Sequence, residues 1–309
     1  MRDFLRDAVR ASLKPFESLA LHLGEPLPFP PIFIISLPRS GSTLLYLLAV
    51  RKFRLSYFSN FAMACPASAG LLTTFGAPFG ACGGGACLDN SFGETRGWSG
   101  PNQGYRTWNL WFPTDRDFIE PSAIPAAHRR KLRQTVGLVE KAARAPFINK
   151  WQRNATRVQS LHAVFPEAVF LHLRRDSLLT AQSILLARRQ LLTSPDAWFS
   201  AKPKGYVHDP RKSQLQLAAE QVALLEKDLE ADKDAVGREK FFELDYGALC
   251  RNADAALDAF AGWYASRTSQ RLQERGKLNI RLTESNAIRI SDGEATEIGN
   301  ILRTIQRAG

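Results

Sequence analysis

The chain has 309 residues, 45% of them hydrophobic and 23% charged, which is enough to bury the core of one large α/β domain. Its four cysteines are too few for a disulfide scaffold, and the composition is ordinary for a globular protein. The formal net charge of +11 favours an anionic ligand. The basic residues are scattered, with no zinc-finger spacing, ribonucleoprotein motif or long basic tail, so nucleic acid is not expected as the partner.

Residues 1–28 are predicted to form an amino-terminal helix that packs on the domain. Charged and apolar residues alternate there at helical spacing, unlike a secretory leader. The longest apolar region, residues 29–50, is interrupted by three prolines and an arginine, which excludes a membrane span there. We therefore expect a single cytoplasmic domain over residues 1–309 with no transmembrane segment.

An apolar strand, a polar turn and an apolar helix follow one another in residues 31–52. The backbone N–H groups around Gly41 and the first helical turn would point at one spot, to which the helix dipole adds positive charge. Gly41 allows close approach of a ligand, and Arg39 adds a permanent cation at the rim. A turn whose hydroxyls merely cap the helix would not need Arg39. The pattern predicts a phosphate or sulfate site.

This turn departs from the loop of nucleoside triphosphatases, which reads G-x-x-x-x-G-K-[ST]. The first glycine of that pattern is missing, and no lysine follows Gly41. An atypical P-loop kinase remains an alternative, but it would need a cradle lysine and a metal-binding acid after a strand. A basic nucleic-acid-binding protein without catalysis is a further, less favoured alternative.

Residues 55–126 are predicted to be an irregular insertion that shapes an acceptor pocket. They are rich in small residues, prolines and aromatics and have little periodicity. Cys82 and Cys87 flank a glycine-rich run, where two reduced thiols are favoured over a disulfide or a metal site. Five aromatic residues either line an acceptor site or pack in the core: Trp98, Tyr105, Trp108, Trp111 and Phe112.

The middle of the chain is predicted to contain a helix over residues 127–145, a short strand over 146–150 and a helix over 153–164. Lys150 and Arg153 lie at the end of that strand and the start of the following helix. They either face a bound ligand or belong to a solvated basic turn.

A second strand, basic turn and helix occupy residues 167–183. Arg175 lies at the end of the predicted strand, and Asp176 or Ser177 can cap the helix. Ser183 follows Arg175 by two helical turns, so both side chains could bind one anion. The alternative is a surface arginine and a core-facing serine.

Further helices are predicted over residues 213–234, 253–267 and 294–307, and a strand over 240–244. Alternating strands and helices predict a parallel sheet covered by helices. Ligands of such sheets bind at the carboxyl ends of the strands, where both basic turns fall.

Together the two turns resemble the sulfotransferase superfamily. Its 5′ motif resembles residues 38–45, in the arginine version of protein-tyrosine and bacterial sulfotransferases, and its 3′ motif, R-D-x-x-x-x-x-x-S, matches residues 175–183. A weaker similarity lies in residues 240–249, where Gly247 replaces a common acid. The resemblance covers residues 30–250 and a carboxy-terminal loop. It implies a three-layer α/β fold with a P-loop and a parallel sheet flanked by helices.

The resemblance implies sulfonate transfer from 3′-phosphoadenosine 5′-phosphosulfate (PAPS) to a hydroxyl or amine acceptor, giving adenosine 3′,5′-bisphosphate without a metal. The acceptor could be a carbohydrate, lipid, phenol or peptide. The cradle turn would hold the 5′-phosphosulfate and the second motif the 3′-phosphate, at two separate sites on one nucleotide. The implied donor-binding residues are Arg39, Ser40, Gly41, Ser42, Thr43, Leu44, Arg175, Ser183, Tyr246 and Arg289, of which Arg39 is also catalytic.

A general base is also implied, because an attacking hydroxyl must lose its proton. Arginine-type members often carry a glutamate that would fall near Asn60, but residues 56–88 contain no acid. Glu94 is the first catalytic candidate, since partial burial between aromatic residues would raise its pKa. Asp89 and His162 are alternatives.

Overall fold

The computed structural model describes residues 25–64, 66–76, 90–91, 94–95, 97–114, 116–192, 197–284 and 286–307. The predicted amino-terminal helix lies almost entirely outside these residues, and so do Cys82, Cys87 and Asp89. Among the described helices, none is both long and apolar enough to cross a bilayer.

Four parallel strands form the central sheet, in the spatial order β4 (Ile148–Lys150), β1 (Ile32–Ile35), β5 (Val169–Arg174) and β6 (Phe241–Asp245). Ile32 of β1 lies beside Ile148 on one side and Val169 on the other, so β1 is central. Its continuous apolar run is typical of a strand buried on both faces. The parallel sheet predicted from the sequence is therefore confirmed. The two remaining strands, β2 (Asn90–Ser91) and β3 (Glu94–Thr95), form a separate hairpin.

Helices cover both faces of the sheet. Short 3₁₀ turns precede several of them, at Ala62–Ala64, Pro66–Ser68, Pro121–Ala123, Gln152–Thr156 and Arg238–Lys240. The α-helices are α1 (Ser42–Lys52), α2 (Ala69–Gly76), α3 (Tyr105–Trp108), α4 (Ala126–Ala143), α5 (Val158–Val164), α6 (Ser177–Leu191), α7 (Gln214–Val236), α8 (Tyr246–Arg251), α9 (Ala253–Thr268) and α10 (Asp292–Arg307).

Alternate residues of β1 face two separate cores. Phe33 packs with the residues of α4 to α7 and α10, and its ring lies 5.4 Å from that of Phe165. Ile32 and Ile34 face the opposite core, which is built from α1, α8 and α9. Side chains of a strand alternate between its two faces, so one buried strand joins three layers. The predicted three-layer arrangement is confirmed.

The predicted single helix over residues 153–164 is interrupted. A 3₁₀ turn, Gln152–Thr156, is followed by a break at Arg157, whose φ of −129° is not helical, and α5 begins only at Val158. The Arg157 guanidinium turns away to donate to backbone carbonyls of residues 113–117. This distant partner explains the break, which no local pattern predicts.

Two buried ionisable side chains, those of Glu140 and Lys52, fix the elements on either side of the first basic turn. The Glu140 carboxylate accepts from the N–H groups of Phe29 and Phe147, which precede β1 and β4, at 3.3 and 2.9 Å. Burial raises the pKa of Glu140. At the end of α1, the Lys52 ammonium lies 2.7 Å from a carboxylate oxygen of Asp254 in α9. The strand before the turn and the helix after it are thus both anchored.

Candidate active site

The first basic turn has a backbone that only glycine fits without strain at its centre. Gly41 has φ of 95°, and a Cβ added there would lie 2.5 Å from the ring of Tyr246. Arg39 also has a positive φ, 65°. Ser40 is buried and donates its hydroxyl proton to the Leu37 carbonyl at 2.7 Å, so only its backbone N–H remains for a ligand. The turn is therefore preformed.

The amino terminus of α1 is open. Gly41 is the N-cap and provides no side-chain acceptor, and no acidic residue lies in the first turn. Because first-turn N–H groups have no intrahelical acceptor, those of Ser42, Thr43 and Leu44 are available to an anion. The alternative in which serine and threonine merely cap this helix does not describe the turn.

The second basic turn contacts the first directly. Asp176 caps α6 by accepting from the N–H of Leu179 at 2.9 Å, which leaves Arg175 beside the first turn. Arg175 Nη1 donates to the carbonyl of Arg39 at 3.0 Å, and Arg39 Nε donates to Ser183 Oγ at 3.3 Å. The residues expected to form two separate anion sites thus meet in one place.

These residues line one cleft of about 310 Å³, here called the cradle cleft. Among the described residues that line it, four side chains are cationic and none is a carboxylate. Such a site attracts a ligand with several negative charges. The cations are Arg39, Lys150, Arg175 and Arg289, and the other lining residues are Gly41, Ser42, Thr43, Leu44, Gln152, Leu179, Gln182, Ser183 and Leu186.

Lys150 is the most perturbed cation of the cradle cleft. It ends β4 with only 3% of its surface exposed. Burial, and then repulsion by Arg39, lowers its pKa to about 8. The same two effects, burial and a neighbouring guanidinium, that of Arg175, lower the pKa of Arg39. The sequence left Lys150 undecided between ligand and solvent, and the structure places it in the cleft.

Gln182 is a cleft residue that the sequence analysis missed. Its Nε2 donates to the carbonyl of Ala287 at 3.0 Å, and its Oε1 accepts from the N–H of Arg289 at 2.8 Å. The amide thereby fixes the carboxy-terminal loop against α6, next to Ser183. The only sign of this role in the sequence is that Gln182 directly precedes Ser183, a predicted donor-binding residue.

Comparison with known proteins identifies the fold and the family. The model of the "Sulfotransferase family" matches residues 30–261, which contain both basic turns. The chain belongs to the sulfotransferase family. The search of curated protein sequences finds no match.

One solved structure supports the fold of this sulfotransferase, and a second is reported beside it. Sulfotransferase STF9 from Mycobacterium avium superposes with a TM-score of 0.52 at 14% identity, covering 96% of this chain and 72% of the other. Sulfotransferase STF1 from Mycobacterium tuberculosis H37Rv has a TM-score of 0.49 at 14% identity, covering 96% of this chain and 76% of the other. At such identities the likeness concerns the fold.

Tyr246 lies beneath the cradle turn of the sulfotransferase. Its ring packs on Gly41, and the Arg175 guanidinium carbon lies 4.8 Å from the ring centre. Burial and then a hydrogen bond with Cys250 raise its pKa to about 12. Tyr246 therefore supports both motifs from below, and its implied role in donor binding stays a prediction.

Glu94, the first candidate base, lies in the β2-β3 hairpin opposite Ser91. The hairpin is held by Asn60, whose Nδ2 donates to the carbonyl of Thr95 at 2.9 Å and to that of Gly97 at 2.8 Å. Asn60 Oδ1 in turn accepts from Asn102 Nδ2 at 2.7 Å. Where many sulfotransferases have a glutamate, this chain has an amide that fixes the backbone next to another glutamate.

His162 is not brought to the cradle cleft. Burial, and then the positive charge of Lys240, lowers the pKa of His162, while the negative charge of Glu167 acts in the opposite direction. Residues 167 and 240 precede β5 and β6, so His162 lies near the opposite edge of the sheet. The other histidine of this region, His172, is 5% exposed, and burial lowers its pKa to about 4.

The predicted acceptor-side aromatic residues divide into two groups. Trp108 and Phe112 are core residues with 1% and 3% exposure, and Trp111 packs partly buried against the same core. Trp98 is 72% exposed and Tyr105 50%. Only these last two present large surfaces to a ligand.

A larger cleft, of about 820 Å³, lies on the other side of Arg175 and is here called the β6 cleft. Three of its lining side chains are cations, Arg174, Arg175 and Lys227, but the net charge opposes binding of an anion because five lining side chains are carboxylates. They are Asp176, Glu226, Glu230, Glu243 and Asp245.

Among the described residues, no group of three or more metal-ligating side chains is close enough to hold a metal ion. The acids that follow the strands have structural partners. Asp176 caps α6 and Asp245 caps α8, the latter by accepting from the N–H of Ala248 at 2.8 Å. Neither lines the cradle cleft.

Proposed function

We propose that this sulfotransferase transfers a sulfonate group from PAPS to a hydroxyl or amine acceptor and releases adenosine 3′,5′-bisphosphate. One observation carries the proposal: both basic turns contribute to a single cleft with four cations and no carboxylate. A nucleotide with anionic groups at both its 5′ and 3′ positions matches this charge. An acceptor class is not specified by the cradle cleft.

The two turns would divide the donor between them. The open N–H groups of α1 and the Arg39 side chain would bind the 5′-phosphosulfate. Arg175 and Ser183 would bind the 3′-phosphate, with Arg289 on the loop held by Gln182. Planar guanidinium groups suit oxyanions because each can donate two parallel hydrogen bonds.

The reaction would be an in-line displacement at sulfur. The acceptor oxygen attacks the sulfur while the bond from sulfur to the bridging oxygen breaks, and that electron pair remains on the 5′-phosphate. Arg39 and Lys150, which both line the cradle cleft, would lie where this charge develops, and fixed cations in a partly buried cleft would stabilise it without reorganisation. Lys150 would be protonated for this role.

The acceptor proton would pass to Glu94. The support is the hairpin that carries Glu94, because Asn60 ties its backbone to the segment of residues 97–102. That segment reaches the sheet beside the cleft, since Asn149 Nδ2 donates to the carbonyl of Gln103 at 3.0 Å and Asn149 precedes Lys150. The acceptor would therefore enter between the hairpin and the end of β4.

Calorimetric titration of the purified protein tests the donor assignment. Adenosine 3′,5′-bisphosphate should bind at least about tenfold more tightly than AMP, since a charged hydrogen-bonded contact contributes about 1.5–3 kcal/mol. The variant Arg175→Ala should lose this preference. Arg174→Ala is the matched control, because Arg174 is its exposed neighbour and pairs with Glu243 at 2.9 Å in the β6 cleft.

Equal affinity for the bisphosphate and AMP in the wild-type protein would refute the 3′-phosphate assignment. Tighter binding of ATP with magnesium than of the bisphosphate would instead favour a kinase. Transfer of label from ³⁵S-labelled PAPS to an acceptor mixture would then establish the reaction.

A further inference from the structure

A third cleft, of about 470 Å³, lies next to the cradle cleft and is here called the Arg153 cleft. Cavities of this size accommodate small ligands. Three cations, one carboxylate and two aromatic rings dominate its lining: Arg116, Arg153, Lys202, Asp117, Phe118 and Tyr206. The net positive charge favours an anionic ligand.

The one carboxylate of this cleft is already used in orienting its neighbours. Asp117 Oδ1 lies 2.7 Å from Arg153 Nε, and Asp117 Oδ2 accepts from the backbone N–H of Lys202 at 2.8 Å. The Lys202 ammonium has no carboxylate within ion-pair distance among the described residues, and it lies 5.6 Å from the ring centre of Trp198. Within the described residues, Lys202 therefore has no carboxylate as an ion-pair partner.

Arg153 is held with its outer edge available. Its Nε faces Asp117, and its guanidinium carbon lies 5.7 Å from the ring centre of Trp151. Within the described part of the chain, neither of its two terminal nitrogens forms a hydrogen bond. A guanidinium held by Nε can still donate two hydrogen bonds from this edge to an oxyanion.

A buried arginine fixes the loop on which Asp117 lies. The Arg157 side chain, 1% exposed in the residue as a whole, donates through Nε to the carbonyl of Asp117 at 3.0 Å and through Nη2 to that of Arg116 at 3.2 Å. Burial and then repulsion by Arg153 lower its pKa to about 9. Burying a cation costs free energy, and packing of the core alone does not require Arg157. The hydrogen bonds of this buried cation hold the loop in place.

Two segments connect the Arg153 cleft to the cradle cleft. Gln152 lines the cradle cleft and directly precedes Arg153. Its Oε1 accepts from Ser200 Oγ at 3.0 Å, and Lys202 follows two residues later. Ser200 has φ of 66°, a conformation that non-glycine residues rarely adopt and that often occurs at functional sites. The two clefts are therefore adjacent.

We propose that the Arg153 cleft binds an oxyanion of the acceptor, such as a carboxylate, while the acceptor hydroxyl lies at the cradle cleft. This inference rests on the proposed function and adds a substrate class: acceptors that carry an anionic group besides the hydroxyl. Arg153 and Lys202 recognise the anion, and the rings of Phe118 and Tyr206 pack on the acceptor body.

The test uses pairs of compounds that differ by one carboxylate, titrated calorimetrically into protein saturated with adenosine 3′,5′-bisphosphate. The pairs are methyl β-D-glucuronide with methyl β-D-glucoside, and 4-hydroxyphenylacetate with its methyl ester. The acid of at least one pair should bind about tenfold more tightly than its neutral partner, the effect expected of one charged contact.

The variants Lys202→Gln and Arg153→Gln should abolish this advantage without changing affinity for the bisphosphate. Lys227→Gln is the matched control, because Lys227 is an exposed lysine that lines the β6 cleft and not the Arg153 cleft. It should retain the advantage.

Equal binding within both pairs, no binding of either acid, or an advantage that survives in Lys202→Gln and Arg153→Gln would overturn the inference. Failure to bind the bisphosphate would refute the proposed function instead. The two failures are thus distinguishable.

Discussion

The cradle cleft and the β6 cleft share Arg175 but differ in charge. The cradle cleft is the smaller, about 310 against 820 Å³, yet it has four cations and no carboxylate, whereas five carboxylates line the β6 cleft. Because charge interactions at partly buried sites exceed those in water, the sign of the lining charges decides which cleft takes an anion. Cleft volume alone would favour the β6 cleft.

The two clefts also differ in how their charges are balanced. In the β6 cleft, Glu243 pairs with both Arg174 and Lys233, and although burial acts in the opposite direction, these cations lower its pKa to about 2. In the cradle cleft, Arg39 and Lys150 repel each other. Glu243 thus has cationic partners at its own cleft, whereas no described residue that lines the cradle cleft is a carboxylate. Such unbalanced charge is typical of functional sites.

The largest effect is expected from Arg39→Ala. Removing a cation from the point where charge develops should lower kcat about 10²–10³-fold. Steady-state transfer from labelled PAPS measures it, and an unchanged melting temperature verifies the fold. Arg174→Ala, in the β6 cleft, should retain wild-type turnover. If the two variants lost activity equally, the distinction between the clefts would fail.

Glu94→Gln tests from which side the acceptor enters. Loss of a general base should reduce kcat about 10²-fold or more, while affinity for the bisphosphate should stay unchanged. The control is Glu226→Gln, because Glu226 lines the β6 cleft, where its carboxylate accepts a hydrogen bond from Ser177 Oγ at 2.6 Å. Full activity of Glu94→Gln would assign the proton transfer to another group.

A smaller effect concerns the pH dependence of nucleotide binding. The pKa of Lys150 is lowered to about 8, so its ammonium is largely present at pH 7 and is lost as pH rises through 8. Since a bound anion favours the charged form, bisphosphate binding should take up a proton near pH 8 and weaken by up to about tenfold per pH unit above it.

Calorimetry in buffers of different ionisation enthalpy measures this proton uptake. Lys150→Gln should bind more weakly at pH 7 and lose the step near pH 8. Gln is chosen as the replacement rather than Met, because an apolar side chain would also change the hydration of the cleft. A step near pH 8 that persists in Lys150→Gln would assign it to another group.

The sequence predicts the strands, turns and helices of the two basic motifs well. The strand, turn and helix around Gly41 and those around Arg175 are local patterns, and chemistry at the carboxyl ends of parallel strands follows from them. The helix limits also agree closely, as in α7, predicted over residues 213–234 and found at Gln214–Val236. Each of these features depends on neighbours in sequence.

What the sequence does not predict depends on distant partners. The break at Arg157 requires carbonyls of residues 113–117. The lowered pKa of Lys150 depends on its burial and then on Arg39, which lies in the turn after another strand. The anchoring of the β2-β3 hairpin by Asn60 is likewise visible only in three dimensions. Glu94 as the base stays a prediction, as do the individual donor contacts.

The most direct test is a crystal structure of the wild-type protein with adenosine 3′,5′-bisphosphate. The account predicts the 5′-phosphate at the amino terminus of α1 and the 3′-phosphate within hydrogen-bond distance of Arg175 and Ser183, inside the cradle cleft. A nucleotide bound in the β6 cleft, or one whose 3′-phosphate contacts neither side chain, would contradict it.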